Sequence, residues 1–385
     1  MTRTTSFASA PSADSTVAPY PFRDLVQAYY DCRRTKRNSA SALAFEMDLE
    51  RNIINLHEDL VNGTYRPGRS ICFVVTRPKA REVWAAAFRD RIVHHLLYNH
   101  VGAGIEAQFI ANSCACIPGR GTLYAAERLE AKVRSVTQNW SRPAHYLKCD
   151  LANFFVAIDK RVLANQLAGL IDEPWWRRLA LQILWHDPRA DYEVRSPRHL
   201  FNKVPQHKRL TAQASHLGLP IGNLSSQFFA NVYLNELDQF VKHRLRTKHY
   251  IRYVDDFVLL HDSPQQLNAW LTEIEAFLPS LGARLNPTKT ILQPVDRGID
   301  FVGHVIKPWR RTTRKRTVKE AMRRVAAAPE DDLLEVANSY FGLFRQASHS
   351  QVDRAALANL LLRRGRSING DLTKTYRKPT KEPAA

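Results

Sequence analysis

Residues 250–260 read Tyr-Ile-Arg-Tyr-Val-Asp-Asp-Phe-Val-Leu-Leu, with two adjacent acids, Asp255 and Asp256, set between apolar, β-branched and aromatic halves. The run has strand character, yet two neighbouring carboxylates in a partly dry place raise each other's pKa and resist burial. A tight β-hairpin with the pair at its tip resolves the conflict and presents both acids to a divalent cation. Mg²⁺ suits such a place, because it takes a few carboxylates together with substrate phosphate oxygens. An isolated Asp-Asp pair would more often be a solvated turn. Here a third acid changes the reading: Asp150 ends another apolar strand, residues 146–150 (YLKCD), and is followed by Phe154 and Phe155. Three carboxylates from two strands are what two-ion phosphoryl transfer requires, one ion activating a 3′-hydroxyl and the other steadying a leaving pyrophosphate. In this reading Asp150 and Asp255 bind the ions directly and Asp256 is the weaker ligand.

Charge points the same way. Lys and Arg number 56 against 37 Asp and Glu, a net charge of +19 over 385 residues, which suits a polyanionic partner, nucleic acid first. With 44% hydrophobic and 24% charged residues the chain is neither largely disordered nor a coiled-coil rod. No apolar run approaches the roughly 18 residues of a membrane span, and the opening residues lack a signal-type apolar stretch. A soluble, cytoplasmic protein with no membrane partner is expected. The five cysteines, with Cys114-x-Cys116 the closest pair, form no zinc-spaced set and are expected to be reduced thiols.

Apolar periodicity predicts helices between residues 22 and 61, a strand at 70–76, helical spacing from 83 to 101, and a helix carrying Leu123, Ala126, Leu129 and Val133. Helices are further expected at 160–171, 226–244 and 264–278, and a short strand at 301–306 (FVGHVI). Residues 187–216, rich in Pro, Arg and His, read as an irregular surface insertion. Residues 307–319 hold seven basic side chains and no acid. Helical segments follow to about residue 364.

The motifs together resemble those of reverse transcriptases. YVDDF is similar to their YxDD box and CDLANFF to their first palm motif; RPKAREVWAAAFRDRIVHHLLYNHV resembles the fingers motifs of the bacterial branch, LNPTKT the fourth palm motif, and GIDFVGHVI the primer-grip hairpin. The boxes occur in the family's order. The resemblance implies an α/β right-hand polymerase with an antiparallel palm sheet and a helical thumb: a flexible lead over 1–20, fingers with part of the palm over 21–145, palm with interleaved fingers elements over 146–306, thumb over 307–366 and a basic flexible tail over 367–385. It implies an RNA-directed DNA polymerase with two Mg²⁺ ions on Asp150, Asp255, Asp256 and the Leu151 backbone carbonyl, template RNA and RNA/DNA duplex as partners, and deoxynucleotide triphosphates as substrates.

Supporting residues are placed by the same resemblance and by their chemistry. Lys79 and Arg81 are suited to clamping a triphosphate, and the Phe155 ring to excluding a 2′-hydroxyl. Lys289 could serve as an acid or charge stabiliser at the leaving group, and Arg310, Arg311, Arg314, Lys315 and Arg316 as a grip on nucleic-acid phosphates. One box narrows the family. Most reverse transcriptases begin the second palm motif with Gln-Gly and end it with Ser-Pro, whereas this chain has Ile221-Gly222 and Ser226-Gln227. That IGNxxSQ form, with ANSCACIPGRGT and SYFGLFRQ, resembles the reverse transcriptases of diversity-generating retroelements. Those copy a template-repeat RNA with errors opposite adenines for target-gene diversification (mutagenic retrohoming), beside a small basic accessory protein, the accessory variability determinant. Lys160 departs from that group's usual His. A retron or phage-defence enzyme, or a catalytically idle RNA-binding scaffold, is the alternative; the roughly 75 residues after the palm leave no room for a group II intron maturase's extra domain.

Overall fold

The structure is a computed structural model that describes residues 19–34, 39–77 and 79–377. Most of the expected lead lies outside the described residues, but Tyr20 is buried, its ring 5.4 Å from Trp175 and 5.9 Å from Trp176. The chain divides into two units, residues 19–108 with 155–233 and residues 109–154 with 234–377. The chain therefore crosses between the units at 109, 155 and 234.

The first unit opens with α1 (Phe22–Arg33), α2 (Ala40–Glu46) and α3 (Leu49–Val61). In α1 the buried Leu25, Ala28, Tyr29 and Cys32 fall on the three- and four-residue spacing of one helix face. The hairpin β1 (Ser70–Val75) and β2 (Arg81–Ala85) follows, then α4 (Phe88–Glu106). Residues 83–85 are thus strand where helical spacing was expected, because Val83, Trp84 and Ala85 pair with Phe73, Cys72 and Ile71. Helix α4 buries Ile92, Val93, His94, Leu96 and Leu97 around much of its circumference, as a central helix does.

His94 makes this core acid-sensitive. Burial first, then the nearby His95, His186 and Arg91, pushes its pKa down to about 3, and Ser225 Oγ lies 3.4 Å from its Nδ1. With the folded pKa below the ordinary 6.5, only the unfolded chain gains the proton at mild acidity. Stability is therefore intact above pH 6.5 and lost as pH falls toward 3. We expect His94→Gln to remove about 1.4 kcal/mol per pH unit of acid destabilisation below pH 6.5. Urea midpoints of both proteins at neutral and mildly acidic pH check this; parallel curves would contradict it.

The chain then enters the second unit with α5 (Thr122–Val136) and β3 (His145–Asp150), and returns to the first through α6 (Phe154–Ala157), α7 (Lys160–Leu170), α8 (Pro174–Trp185), β4 (Tyr192–Val194) and α9 (Arg198–Phe201). Helix α7 is capped by Asp159, which accepts from the Arg161 N–H. The supposed irregular insertion is partly structural: β4 pairs in parallel with β1, Tyr192 packs edge-on against Trp84, and Leu210 joins the same buried cluster. Helix α10 (Leu224–Gln239) leads back to the second unit and ends in a π-helical turn, Phe240–Arg244, where one continuous helix was expected.

The second unit continues with β5 (Tyr250–Tyr253), β6 (Asp256–His261), α11 (Pro264–Phe277), β7 (Ile291–Pro294), β8 (Ile299–Phe301), β9 (His304–Lys307) and β10 (Arg310–Thr313). Its main sheet has the antiparallel order β5-β6-β3-β7, and a second has the order β10-β9-β8. The strand that periodicity predicts at 301–306 is a hairpin, as the motif GIDFVGHVI implied, because Val302 and Gly303 both take positive φ (44° and 93°) and Phe301 pairs with His304 across them. Tyr146, Ile251, Val258, Leu260, Ile299, Phe301 and Ile306 form the core with α5. Helices α12 (Lys315–Ala327), α13 (Glu330–Phe344) and α14 (Gln351–Arg363) bury Val325, Leu333, Phe341, Phe344 and Leu361 in a cluster of their own. The expected flexible tail from 367 is corrected as far as 377: β11 (Arg366–Ile368) pairs with β12 (Thr375–Arg377), and the Thr375 N–H donates to Asn338 Oδ1 at 2.8 Å. Residues 378–385 lie outside the described ones.

Candidate active site

Strands β5 and β6 pair so that Tyr253 faces Asp256, leaving Val254-Asp255 as a two-residue turn. Val254 sits at φ 54°, a position that such turns normally give to glycine and that a β-branched residue adopts only under constraint. Strand β3 runs on the other side of β6, with Asp150 in register opposite Asp256. The Leu151 N–H donates to the Asp255 carbonyl at 3.2 Å, tying the end of β3 to the turn. Three acids from two adjoining strands are thereby gathered at one end of the sheet, as the spacing predicted.

Burial sets their electrostatics. Burial first, then Asp256 and Asp150, pushes the Asp255 carboxyl up to about 6. Burial likewise raises Asp256, with Asp150 adding to it and Lys148 opposing it. The nearest cation is Lys289, whose Nζ lies 2.5 Å from Asp150 Oδ1. Asn286 donates its side-chain amide to the same oxygen at 3.3 Å and its N–H to the Asp150 carbonyl at 2.8 Å. Lys289, read as a group for the leaving pyrophosphate, is here the counter-ion of Asp150. Among the described residues no three carboxylate, imidazole or thiolate groups close around a point where an ion would sit. The donor chemistry nevertheless fits Mg²⁺: hard oxygen ligands on adjoining strands, two of them raised above the ordinary carboxylate pKa by burial first and by neighbouring acids next.

Sequence reasoning missed what holds the turn. Arg252 is fully buried beneath it and donates through Nε and Nη2 to the two oxygens of buried Asp238 at 2.8 and 2.7 Å. Its Nη1 donates to the Val254 carbonyl at 3.1 Å and its Nη2 also to Ser113 Oγ at 2.9 Å. The Tyr250 hydroxyl donates to Asp238 at 2.7 Å. Ser113, from the ANSCAC stretch, lies in a parallel bridge with Arg252, whose N–H donates to the Asn112 carbonyl at 2.9 Å. The only signal in the sequence is a charge at a position where the strand and helix patterns call for an apolar residue.

The other predicted residues divide. Lys79 and Arg81 are exposed on the β1–β2 hairpin of the first unit. In that unit too, the Phe155 carbonyl accepts from the Leu219 N–H at 2.8 Å, so Phe155 and the Ile221-Gly222 loop are neighbours; Phe154 is core while Phe155 is only half-buried. The Ile221 carbonyl accepts from the Trp84 N–H at 2.7 Å, and the Asn223 side chain bonds both Trp84 and Ala86 backbone at 3.0 Å. Gly222 is needed there: its φ is 126° and an added Cβ would meet Val83 Cγ1 at 2.7 Å. Of the five basic grip residues, Arg310, Lys315 and Arg316 are exposed. Arg311 is not, since it is buried on Glu130 at 2.6 Å and on the Gln346 carbonyl at 2.9 Å. Arg314 is paired with Asp300.

The chain matches a family model described as reverse transcriptase (RNA-dependent DNA polymerase) over residues 77–306. It is similar to Protein YkfC of Escherichia coli (strain K12), 25% identical over 324 residues that make up 75% of this chain and 78% of that protein. Among solved structures it is similar to apo telomerase from Candida tropicalis, at 13% identity and a TM-score of 0.49 over 77% of this chain and 57% of that one. It is also similar to telomerase from Candida albicans in complex with a TWJ fragment of telomeric RNA, at 15% identity and a TM-score of 0.43 over 78% of this chain and 55% of that one. The chain thus spans little more than half the length of those telomerases. The family match takes in more than half of the chain and all three aspartates of the β3 end and the β5–β6 turn, so the protein belongs to the reverse transcriptase (RNA-dependent DNA polymerase) family.

Proposed function

We propose that this reverse transcriptase copies a template-repeat RNA into cDNA with errors directed at template adenines, the chemistry of target-gene diversification, beside a small basic accessory protein. The observation that carries the reading is Ile221. Its backbone is fixed by the bond to Trp84 and by the Gly222 turn, so the side chain is the variable element there, and it is apolar and half-buried. The Gln-Gly pair that most reverse transcriptases have at that place offers an amide able to hydrogen-bond near the incoming nucleotide; Ile has no such bond to give.

Asp150, Asp255 and Asp256 would hold two Mg²⁺ ions, with the Leu151 carbonyl as a further oxygen ligand. Bound there, the ions would lower the pKa of a primer 3′-hydroxyl and neutralise charge on the transferred phosphoryl group. The chain's own residues do the rest. Lys289 leaves Asp150 for the pyrophosphate as its charge develops, Lys79 and Arg81 bind the triphosphate, and Phe155 excludes a 2′-hydroxyl. The four-stranded sheet serves as palm and α12–α14 as thumb.

A lost neutral hydrogen bond is worth about 0.5–1.5 kcal/mol, or roughly two- to thirteen-fold in relative incorporation. Ile221→Gln is therefore expected to lower errors opposite adenine by up to about tenfold on an RNA template containing all four bases. Sequencing the cDNA of both proteins tests it. Accurate wild-type synthesis, or errors spread evenly over the bases, would reject the diversifying role and leave the polymerase assignment standing.

A further inference from the structure

The β9–β10 turn is Pro308-Trp309, with Lys307 paired to Arg310 across it. Trp309 sits at φ 62° and is 61% exposed. A bulky residue on left-handed backbone is strained, and an indole left in water forgoes its burial energy; the turn would form more readily with glycine or asparagine there. Behind it stands Trp140, ring centroids 6.3 Å apart, itself at φ 69° after Gln138 and Asn139, which also take positive φ. Trp140 packs on the core and so backs the exposed ring.

Around Trp309 lies a cavity of about 470 Å³ lined by Asp296, Lys307, Pro308, Arg310 and His349. That is room for a nucleotide-sized ligand. His349 is fixed there by its N–H bond to the Arg311 carbonyl at 3.1 Å, and the neighbouring Ser348 hydroxyl accepts from the Arg311 N–H at 2.9 Å. A second groove of about 400 Å³ shares Lys307 and adds Arg297, Lys315 and Arg316. Cations thus continue from the aromatic platform along the hairpin. The place is not the catalytic end of the sheet: the Val295 N–H bonds the Ala144 carbonyl, which puts Asp296 near the start of β3, about 17 Å of strand from Asp150.

We propose that this hairpin is a binding subsite for single-stranded nucleic acid, one base stacking on Trp309 and the adjoining phosphates held by Lys307 and Arg310. The proposal rests on the reading of the basic segment as a nucleic-acid surface. An exposed ring face with flanking cations is how sequence-tolerant single-strand sites are built, and a base inside a duplex has no face to offer it.

The test is fluorescence anisotropy of the full chain with a labelled short single-stranded RNA and with a duplex of the same length. Trp309→Ala is expected to weaken the single strand by about 5- to 150-fold and the duplex by less than about twofold, while Trp309→Phe stays within about threefold of wild type. Unchanged single-strand affinity in Trp309→Ala, equal losses for single strand and duplex, or a Phe variant as weak as the Ala variant would each overturn it. Unchanged RNA affinity with loss of self-association in sedimentation would also overturn it, assigning the indole to a protein contact. Primer extension, which depends on the aspartates, is scored separately, so failure of the subsite and failure of the polymerase reading are told apart.

Discussion

Asp255→Asn is expected to reduce primer extension on an RNA template by about 10³-fold or more if Asp255 holds an ion as proposed, since such a ligand contributes several kcal/mol of transition-state stabilisation. The same substitution is expected to make the protein more stable in metal-free buffer. The folded carboxyl titrates near 6, above the ordinary 3.8, because burial and then Asp256 and Asp150 disfavour its charge. The folded state therefore binds the proton more readily than the unfolded one. Its destabilising effect is complete above pH 6 and is relieved as pH falls from 6 toward 4. In EDTA at pH 8 the Asn variant should gain about 3 kcal/mol, and at pH 4 the two proteins should converge. Loss of extension together with loss of stability would mean that Asp255 supports the fold instead of the chemistry.

The second large effect concerns Arg252 and Asp238. Removing either partner leaves a buried uncompensated charge, at a cost of about 3–5 kcal/mol, so Arg252→Met and Asp238→Leu should each lower the unfolding midpoint steeply. The double variant replaces both charges with apolar groups and is expected to regain most of that stability. It is not expected to regain extension, because the Val254 carbonyl has lost the donor that steadies the turn carrying Asp255. A Mg²⁺ titration separates the roles: a braced turn predicts that the double variant needs more Mg²⁺ for half-maximal extension. If the double variant extends primers at the wild-type rate and Mg²⁺ requirement, the pair is only part of the core.

The aspartates were legible in the sequence because the signals are local. Asp150 and the Asp255-Asp256 pair interrupt or end apolar strand runs, and the strand pattern fixes which end of the sheet they reach. The Arg252–Asp238 brace was not legible, since its partners lie 14 residues apart on different elements and each reads alone as an ordinary charge. The run from Lys307 reads as a uniform cationic grip on nucleic-acid phosphates, but the partner of Arg311 is Glu130, 181 residues away, and no periodicity carries that distance. Periodicity alone shows one strand at 301–306, because only the backbone angles at Val302-Gly303 break the run; the hairpin there was legible instead in the motif GIDFVGHVI. The crossings at 109, 155 and 234 fall within ordinary sequence with no linker composition, so composition does not mark them.

If the acids of β3 and the β5–β6 turn carry Mg²⁺-dependent RNA-templated DNA synthesis, as proposed, the decisive readout is single-nucleotide extension of a DNA primer on RNA by the wild-type chain and by Asp150→Asn across a Mg²⁺ titration. Wild-type extension is expected to rise to saturation with Mg²⁺, to stop in EDTA and to be lost in Asp150→Asn, with the variant's fold retained by circular dichroism. Extension by the folded Asp150→Asn protein at the wild-type rate, or wild-type extension indifferent to EDTA, would contradict it.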